Sequence, residues 1–240
     1  MIWSINEMHN LAIIPARSGS KGLPDKNIKP LNDMPLMAYS IRTAKESGVF
    51  DEIMVSTDSE KYAQISREYG ANVPFLRSER LSRDNAGSWD VVKEVLENYR
   101  KQELLFDTVC LLQPTSPLRI AEDIIAGYKE LLAKQADAIT AVCEVDHSPL
   151  WTMMLPDDLS MMEFRKKSID VPRQQLGAFY RVNGALYIRK IMYSEENICI
   201  LNSNEYAYIM ERKRSVDIDT IDDFEYAEYL LERNNSHTPK

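Results

Sequence analysis

The 240-residue chain is short of the residues that carry most metal and redox chemistry: it has only three cysteines and three histidines. Cys110, Cys143 and Cys199 lie far apart among apolar neighbours and form no Cys-x-x-Cys. That spacing excludes a disulfide framework and a zinc site, and it predicts three buried free thiols in a reducing cytoplasm. His147 stands alone and His237 sits near the end of the chain, so neither forms a catalytic pair. No apolar run approaches the roughly 18–20 residues needed to span a bilayer. The first ten residues carry Glu7 and His9 in place of a basic region followed by an apolar stretch, and no signal peptide is expected. Basic charge is also in deficit. A net charge of −8 argues against nucleic acid or an anionic membrane as partner. Neither Gly-x-Gly-x-x-Gly nor Gly-x-x-x-x-Gly-Lys-Ser/Thr occurs, so neither a dinucleotide fingerprint nor a P-loop is indicated. There is no internal repeat and no low-complexity segment.

What is present is a core and a rhythm. Hydrophobic residues make up 44% of the chain, enough to fold. Leu11-Ala-Ile-Ile-Pro15, Ile53–Ser56, Thr108–Leu112 and Ala138–Val145 read as short buried strands. Helical spacing predicts helices over Pro35–Ser47, closed by Gly48, over Ser59–Tyr69, over Ser88–Glu103, around Ile124–Leu132 and over Thr220–Arg233. Such alternation predicts a single α/β domain over 1–240, a mostly parallel sheet with helices on both faces. Ligands bind such sheets at the carboxyl ends of the strands, here the loops after Pro15, Ser56 and Leu112. Residues 146–181 break the rhythm. They are rich in Met and charge without a period, and read as an inserted arm; the rhythm resumes at Gly184–Ile188.

Four segments offer chemistry. Arg17-Ser-Gly-Ser-Lys-Gly22 gathers hydroxyls, glycines and two cations, a set suited to a triphosphate of about four charges or to a solvated basic loop. Gln113-Pro-Thr-Ser-Pro-Leu-Arg119 offers groups for a polyol or carboxylate, or an ordinary helix lead-in. Pro172-Arg-Gln-Gln175 and Arg181-Val-Asn-Gly184 add two guanidinium forks that suit a carboxylate or phosphate, or a polar surface arm. If Val216-Asp-Ile-Asp219 is extended, Asp217 and Asp219 share one face, roughly 6.5 Å apart. Such a pair can hold Mg²⁺ beside phosphates, or simply face solvent.

Taken together, Ile14–Asn27, Val55-Ser-Thr-Asp58, Gln113–Arg119, Pro172–Gln175, Arg181–Tyr187 and Val216–Thr220 resemble the acylneuraminate cytidylyltransferases, the CMP-sialic acid synthetases. The six motifs fall in the family's order from about Leu11 to Leu231. The resemblance implies a Rossmann-like α/β domain with a small dimerisation arm over 146–181. It implies a cytoplasmic homodimer that joins CMP from CTP to an acidic nine-carbon sugar with Mg²⁺ as cofactor, in the service of cell-surface polysaccharide synthesis. Carried over by motif, Arg17, Ser20, Lys21 and Asn27 hold the CTP phosphates, and Arg77 and Ser88 contact the cytidine. Gln113, Arg173, Arg181 and Tyr187 line the sugar site, with Arg173 supplied by the other subunit. Asp217 and Asp219 bind the metal, and with Arg17 and Lys21 they form the catalytic set. One departure follows His147-Ser-Pro-Leu150, where sialic acid enzymes carry Lys and this chain has Trp151. An indole there favours a less polar sugar of the legionaminic type. The rivals are a Kdo cytidylyltransferase, which lacks the Gln113–Arg119 and Pro172–Gln175 motifs, and a non-catalytic sugar-nucleotide sensor, which has no need of two metal carboxylates.

Overall fold

The computed structural model describes residues 5–20, 22–162 and 177–236. Its main sheet has seven strands: β1 (Asn10–Pro15), β4 (Glu52–Ser56), β5 (Thr108–Leu111), β6 (Ala138–Glu144), β7 (Tyr180–Tyr193), β8 (Ile198–Ile200) and β9 (Glu205–Ile209). A small hairpin, β2 (Pro30–Leu31) and β3 (Met34–Pro35), stands apart. The helices are α1 (Leu36–Ser47), α2 (Glu60–Glu68), α3 (Ser88–Arg100), α4 (Ala121–Ala133) and α5 (Ile221–Ser236). No described helix is long and apolar enough to cross a membrane.

The strand order is β4-β1-β5-β7-β6-β9. All neighbours are parallel except at β7, which runs antiparallel to both β5 and β6; β8 pairs with the far end of β7. The chain leaves β1 for β4 on one side and returns to β5 on the other, so the order reverses between β1 and β5, where open α/β sheets bind ligands.

Leu11 to Ile14 have no exposed surface because β1 is central and covered on both sides. Its alternate residues feed two cores. Ala12 and Ile14 pack with Met37 and Ile41 of α1 and with Ile124 and Tyr128 of α4, while Leu11 and Ile13 pack with Val92, Val95 and Leu96 of α3. A third cluster joins Phe224 and Ala227 of α5 to Leu31, Leu36, Tyr39 and Ile218, and so anchors the segment between Asp217 and Asp219.

Three details differ from the sequence expectation. Cys199 is exposed, because β8 has a sheet neighbour on one side only, whereas Cys110 and Cys143 are buried as expected. Tyr180 and Arg181 belong to β7, because Glu144 and Cys143 continue the β6 ladder onto them, so the irregular arm stops short of residue 180. Finally, β7 is far longer than Gly184–Ile188 and is interrupted: Val182 pairs with Val142 and Tyr187 with Thr140, leaving Asn183–Leu186 opposite Ala141. A bulge of this kind bends the strand and re-aims its residues. Gly184 inside it has φ +79°, open only to a residue without Cβ strain.

Candidate active site

At the carboxyl ends of β1 and β5 lies a cavity of about 390 Å³. Of the residues expected to act, Arg17, Ser20, Asn27, Arg77, Ser88, Gln113, Asp217 and Asp219 all line it. Arg181 and Tyr187 are not among its lining residues. Lys21 and Arg173 lie outside the described residues, as does most of the central part of the arm. Trp151 ends a single 3₁₀ turn, Pro149–Trp151, and does not line the cavity.

The first wall is the loop after β1. The Asp58 carboxylate accepts from the Ser18 amide at 2.8 Å and from its hydroxyl at 3.0 Å, pinning the loop to the end of β4. Asn27 Nδ2 donates to the Arg17 carbonyl at 3.0 Å, and the Arg17 guanidinium meets Asp84 at 2.8 Å. Gly22 lies so close to Asp219 that a Cβ there would stand 3.1 Å from the Asp219 carbonyl oxygen. The basic loop and the acidic pair are thus packed against each other.

Arg77 is buried, and its guanidinium donates from Nε to Ser56 Oγ at 3.0 Å and from Nη2 to Ser56 O at 2.6 Å. Burial pulls its pKa down to about 10, while Asp58 and Glu94 oppose the fall. These bonds fix the end of β4 beneath the cavity. Ser88 opens α3 and lines the cavity with Val91 of the same helix, beside Leu81 and Ala86 of the preceding loop. A helix N-terminus adds partial positive charge to such a site.

The Gln113 loop and the acidic segment close the other side. Ile218 N donates to Thr115 O at 2.9 Å, which ties the two together. Residues 216–219 form no strand, yet Ile218 is fully buried, so the carboxylates on either side of it both reach the cavity. The box at the start of α5, in which Asp223 accepts from the Thr220 hydroxyl at 2.7 Å and from the Asp219 amide at 3.1 Å, holds this backbone. Burial raises the pKa of Asp217 and the Asp219 charge adds to it; a hydrogen bond from Thr115 and the charges of Lys26 and Arg181 oppose the rise. Gly184 packs behind Gln113 and Asp217 without lining the cavity itself. A Cβ there would stand 2.6 Å from Gln113 Oε1 and 3.6 Å from Asp217 Oδ2.

Two contributors were missed as site residues. Lys26, noticed only as part of a basic run, donates to the Ile218 carbonyl at 2.6 Å and to Asp219 Oδ1 at 3.2 Å. Thr115 holds Asp217. Arg181, outside the lining, still acts on Asp217 through its charge, and Asp217 helps burial to raise the Tyr187 hydroxyl pKa. The lining carries four cations (Arg17, Lys26, Arg77, Arg83) and three carboxylates (Asp84, Asp217, Asp219), a local excess of positive charge in a chain of net charge −8.

A basic loop at a sheet switch point, opposed by a paired carboxylate motif, suits a nucleotide-handling α/β protein of the Rossmann-like kind. Residues 11–237 match the family described as cytidylyltransferase, and the chain belongs to that family. It is 34% identical over 228 residues to pseudaminic acid cytidylyltransferase of Campylobacter jejuni, covering 95% of this chain and 98% of that protein. It is also 34% identical to CMP-N,N'-diacetyllegionaminic acid synthase of Legionella pneumophila, covering 95% and 98% of the two chains. Identity to N-acylneuraminate cytidylyltransferase of Streptococcus agalactiae is 39%, over 90% of this chain and 52% of that protein. Among solved structures, CMP:2-keto-3-deoxy-manno-octonic acid synthetase complexed with CTP superposes with TM-score 0.68 at 15% identity, covering 94% of this chain and 99% of that one. That likeness bears on the fold.

Proposed function

We propose that this cytidylyltransferase activates a nonulosonic, sialic acid-like sugar with CTP, releasing CMP-sugar and pyrophosphate. The observation that carries the reading is the cavity in which the Arg17 loop, the Gln113 loop and the Asp217/Asp219 pair converge. The relatives named for pseudaminic, legionaminic and N-acylneuraminic acids support the choice of sugar class.

In this reading Arg17, Ser20, Lys21 and Asn27 form the phosphate side. Arg17 supplies the fork, and Asn27 fixes the backbone that carries it. Arg77 sets the strand end under the nucleoside, and Ser88 presents the α3 N-terminus to it. Gln113, Arg181 and Tyr187 face the sugar, with Arg173 from a second subunit. The anomeric hydroxyl attacks the α-phosphorus of CTP in line, the bond to the β-phosphate oxygen breaks, and pyrophosphate leaves. The protein contributes alignment and charge neutralisation.

Mg²⁺ is the cofactor this reading requires, and the residues present fit it. Asp217 and Asp219 both line the cavity, and the Asp219 carboxylate disfavours the charge of Asp217. No group of three ligating acidic, His or Cys side chains occurs among the described residues. Mg²⁺ characteristically takes one or two carboxylates and completes its shell with water and phosphate oxygens. Bound there, it supplies Lewis-acid neutralisation of the phosphates.

We further propose a cytoplasmic homodimer. On the α3 side of the sheet, Val182, Val142 and Ile209 lie in register across β7, β6 and β9. Val182 and Ile209 are more than half exposed, and so are Met154, Leu155, Leu159 and Met162 in the described part of the arm. An isologous partner is the commonest way to cover such a surface.

Pyrophosphate release from CTP and Mg²⁺, measured across a panel of nonulosonic acids and Kdo, tests the function. Turnover with nonulosonic acids is expected. Turnover with Kdo alone would replace this reading with the Kdo one, and no acceptor-dependent release at all would leave a non-catalytic sensor.

A further inference from the structure

Tyr187 and Arg189 stand two apart on β7 and share its α3-facing side. Tyr187 pairs with Leu111, next to the Gln113 loop; Arg189 pairs with Val109, one step further from it. Between them stands Trp89, the second residue of α3. Its ring meets Tyr187 edge-on at 6.2 Å and an 88° interplanar angle. The Arg189 guanidinium carbon lies 3.9 Å from the centre of the same indole.

Arg189 differs from the other arginines in the sheet core. Arg77 bonds to Ser56, and Arg119 bonds to Ala185 O at 2.6 Å and to Ser40 Oγ at 2.6 Å. Arg189 Nε, like Arg119 Nε, is buried without a hydrogen-bond partner, but among the described residues the rest of the Arg189 guanidinium makes neither a hydrogen bond nor a salt bridge, unlike that of Arg119. Stacking on Trp89 accommodates its flat face and leaves its edge donors unanswered. A half-buried cation held in this way, beside an aromatic corner and one strand step beyond Tyr187, is arranged for an acceptor that arrives from outside.

The identity of that acceptor follows from the chemistry of the corner. A guanidinium only donates, so it calls for an acceptor oxygen. A hydroxyl supplies that oxygen but nothing for the faces of Trp89 and Tyr187. An acylamino group brings a carbonyl oxygen for Arg189 and a methyl for the rings. The reacting end of the sugar must sit by Asp217, and Arg189 lies about one strand repeat, roughly 6.5 Å, beyond Tyr187, which reaches the end remote from the carboxylate. Resting on the cytidylyltransferase reading above, we infer that Arg189 and Trp89 are specificity-determining residues for an acylamino group at the remote end of the sugar. The enzyme therefore takes diacylamino nonulosonic acids in preference to those carrying a hydroxyl there.

The test is the ratio of kcat/KM for N,N'-diacetyllegionaminic acid to that for N-acetylneuraminic acid, read by pyrophosphate release at saturating CTP. The wild type should favour the first by about 10–200-fold, the range one pocket contact provides. Arg189→Gln should lower the ratio at least ten-fold through KM for the diacylamino sugar, with KM for CTP unchanged. Arg189→Lys should restore it only in part, because a point charge does not replace a stacked fork. Trp89→Leu, which removes the stack from the other side, should lower the same ratio. A wild-type ratio near one, a ratio unchanged in Arg189→Gln and Trp89→Leu, or a loss of dimer in Arg189→Gln at constant ratio would each overturn the inference while leaving the cytidylyltransferase reading in place. Turnover of neither sugar by the wild type would overturn both.

Discussion

Replacing Gly184 by Ala separates two jobs that one residue performs. The added methyl carbon meets a φ of +79°, which costs an L-residue roughly 1–2 kcal/mol. It also lands 2.6 Å from Gln113 Oε1, well inside contact distance. That atom is the far end of a flexible side chain, so the Gln113 amide swings away at little cost to stability. The expected loss of stability is therefore the backbone cost alone. For a chain of this size that is a fall in Tm of about 2–8 °C. The functional loss should be much larger, because misplacing a positioning group by about 1 Å can cost 10²-fold. Thermal unfolding and pyrophosphate-release kinetics measure the two effects, and turnover with the sugar should fall while CTP affinity stays. Gln113→Ala supplies the control. If Gly184→Ala acts through Gln113, the double variant should be scarcely slower than the slower single one. Additive losses, or full turnover at a lowered Tm, would refute the reasoning.

Asp217→Asn and Asp219→Asn should each lower turnover by at least about 10²-fold at saturating Mg²⁺, the scale of losing one electrostatic stabiliser. Neither should unfold the protein, and full activity in both would remove the metal assignment. The pH profile checks Asp217 separately. A raised folded-state pKa means that the folded protein holds the proton more tightly than the unfolded chain, so ionised Asp217 opposes folding above that pKa and Asp217→Asn should not lower Tm near neutrality. Activity, which needs the carboxylate, should fall as pH drops through the raised pKa. Lys26→Met should move that acid limb to higher pH, and Asp219→Asn should move it lower, as kcat/KM against pH would show. In light scattering at micromolar concentration the protein should run at twice its 27.6 kDa chain mass; a monodisperse monomer would contradict the dimer.

Much of this site was legible because β1, β4 and β5 are short apolar runs whose loops carry the chemistry in chain order. Leu11–Ile14 announces a covered strand by having no polar residue, and the strand then fixes where Arg17 must emerge. The Asp217/Asp219 pair was legible from its spacing, although its geometry comes from buried Ile218 and its bond to Thr115 rather than from a strand. Strand direction was not legible. Antiparallel β7 and its bulge depend on which neighbours it finds, and Tyr-Arg-Val-Asn-Gly has no clean period of two. Nor does sequence say where a long side chain points. Arg77, expected at the cytidine, lines the cavity but spends its Nε and Nη2 on Ser56, and Lys26 reaches across to Asp219 from a position 193 residues away. Such choices are made by tertiary contacts that no local pattern encodes.

The central claim is that one cavity joins the α-phosphate of CTP to an acidic sugar. ³¹P NMR of the protein with CTP, Mg²⁺ and a nonulosonic acid follows that bond directly. The account predicts that the three CTP resonances decay together into one phosphodiester signal and pyrophosphate, in equal amounts, and only when the sugar is present. Decay to CDP and inorganic phosphate, or a spectrum unchanged by the sugar, would contradict it.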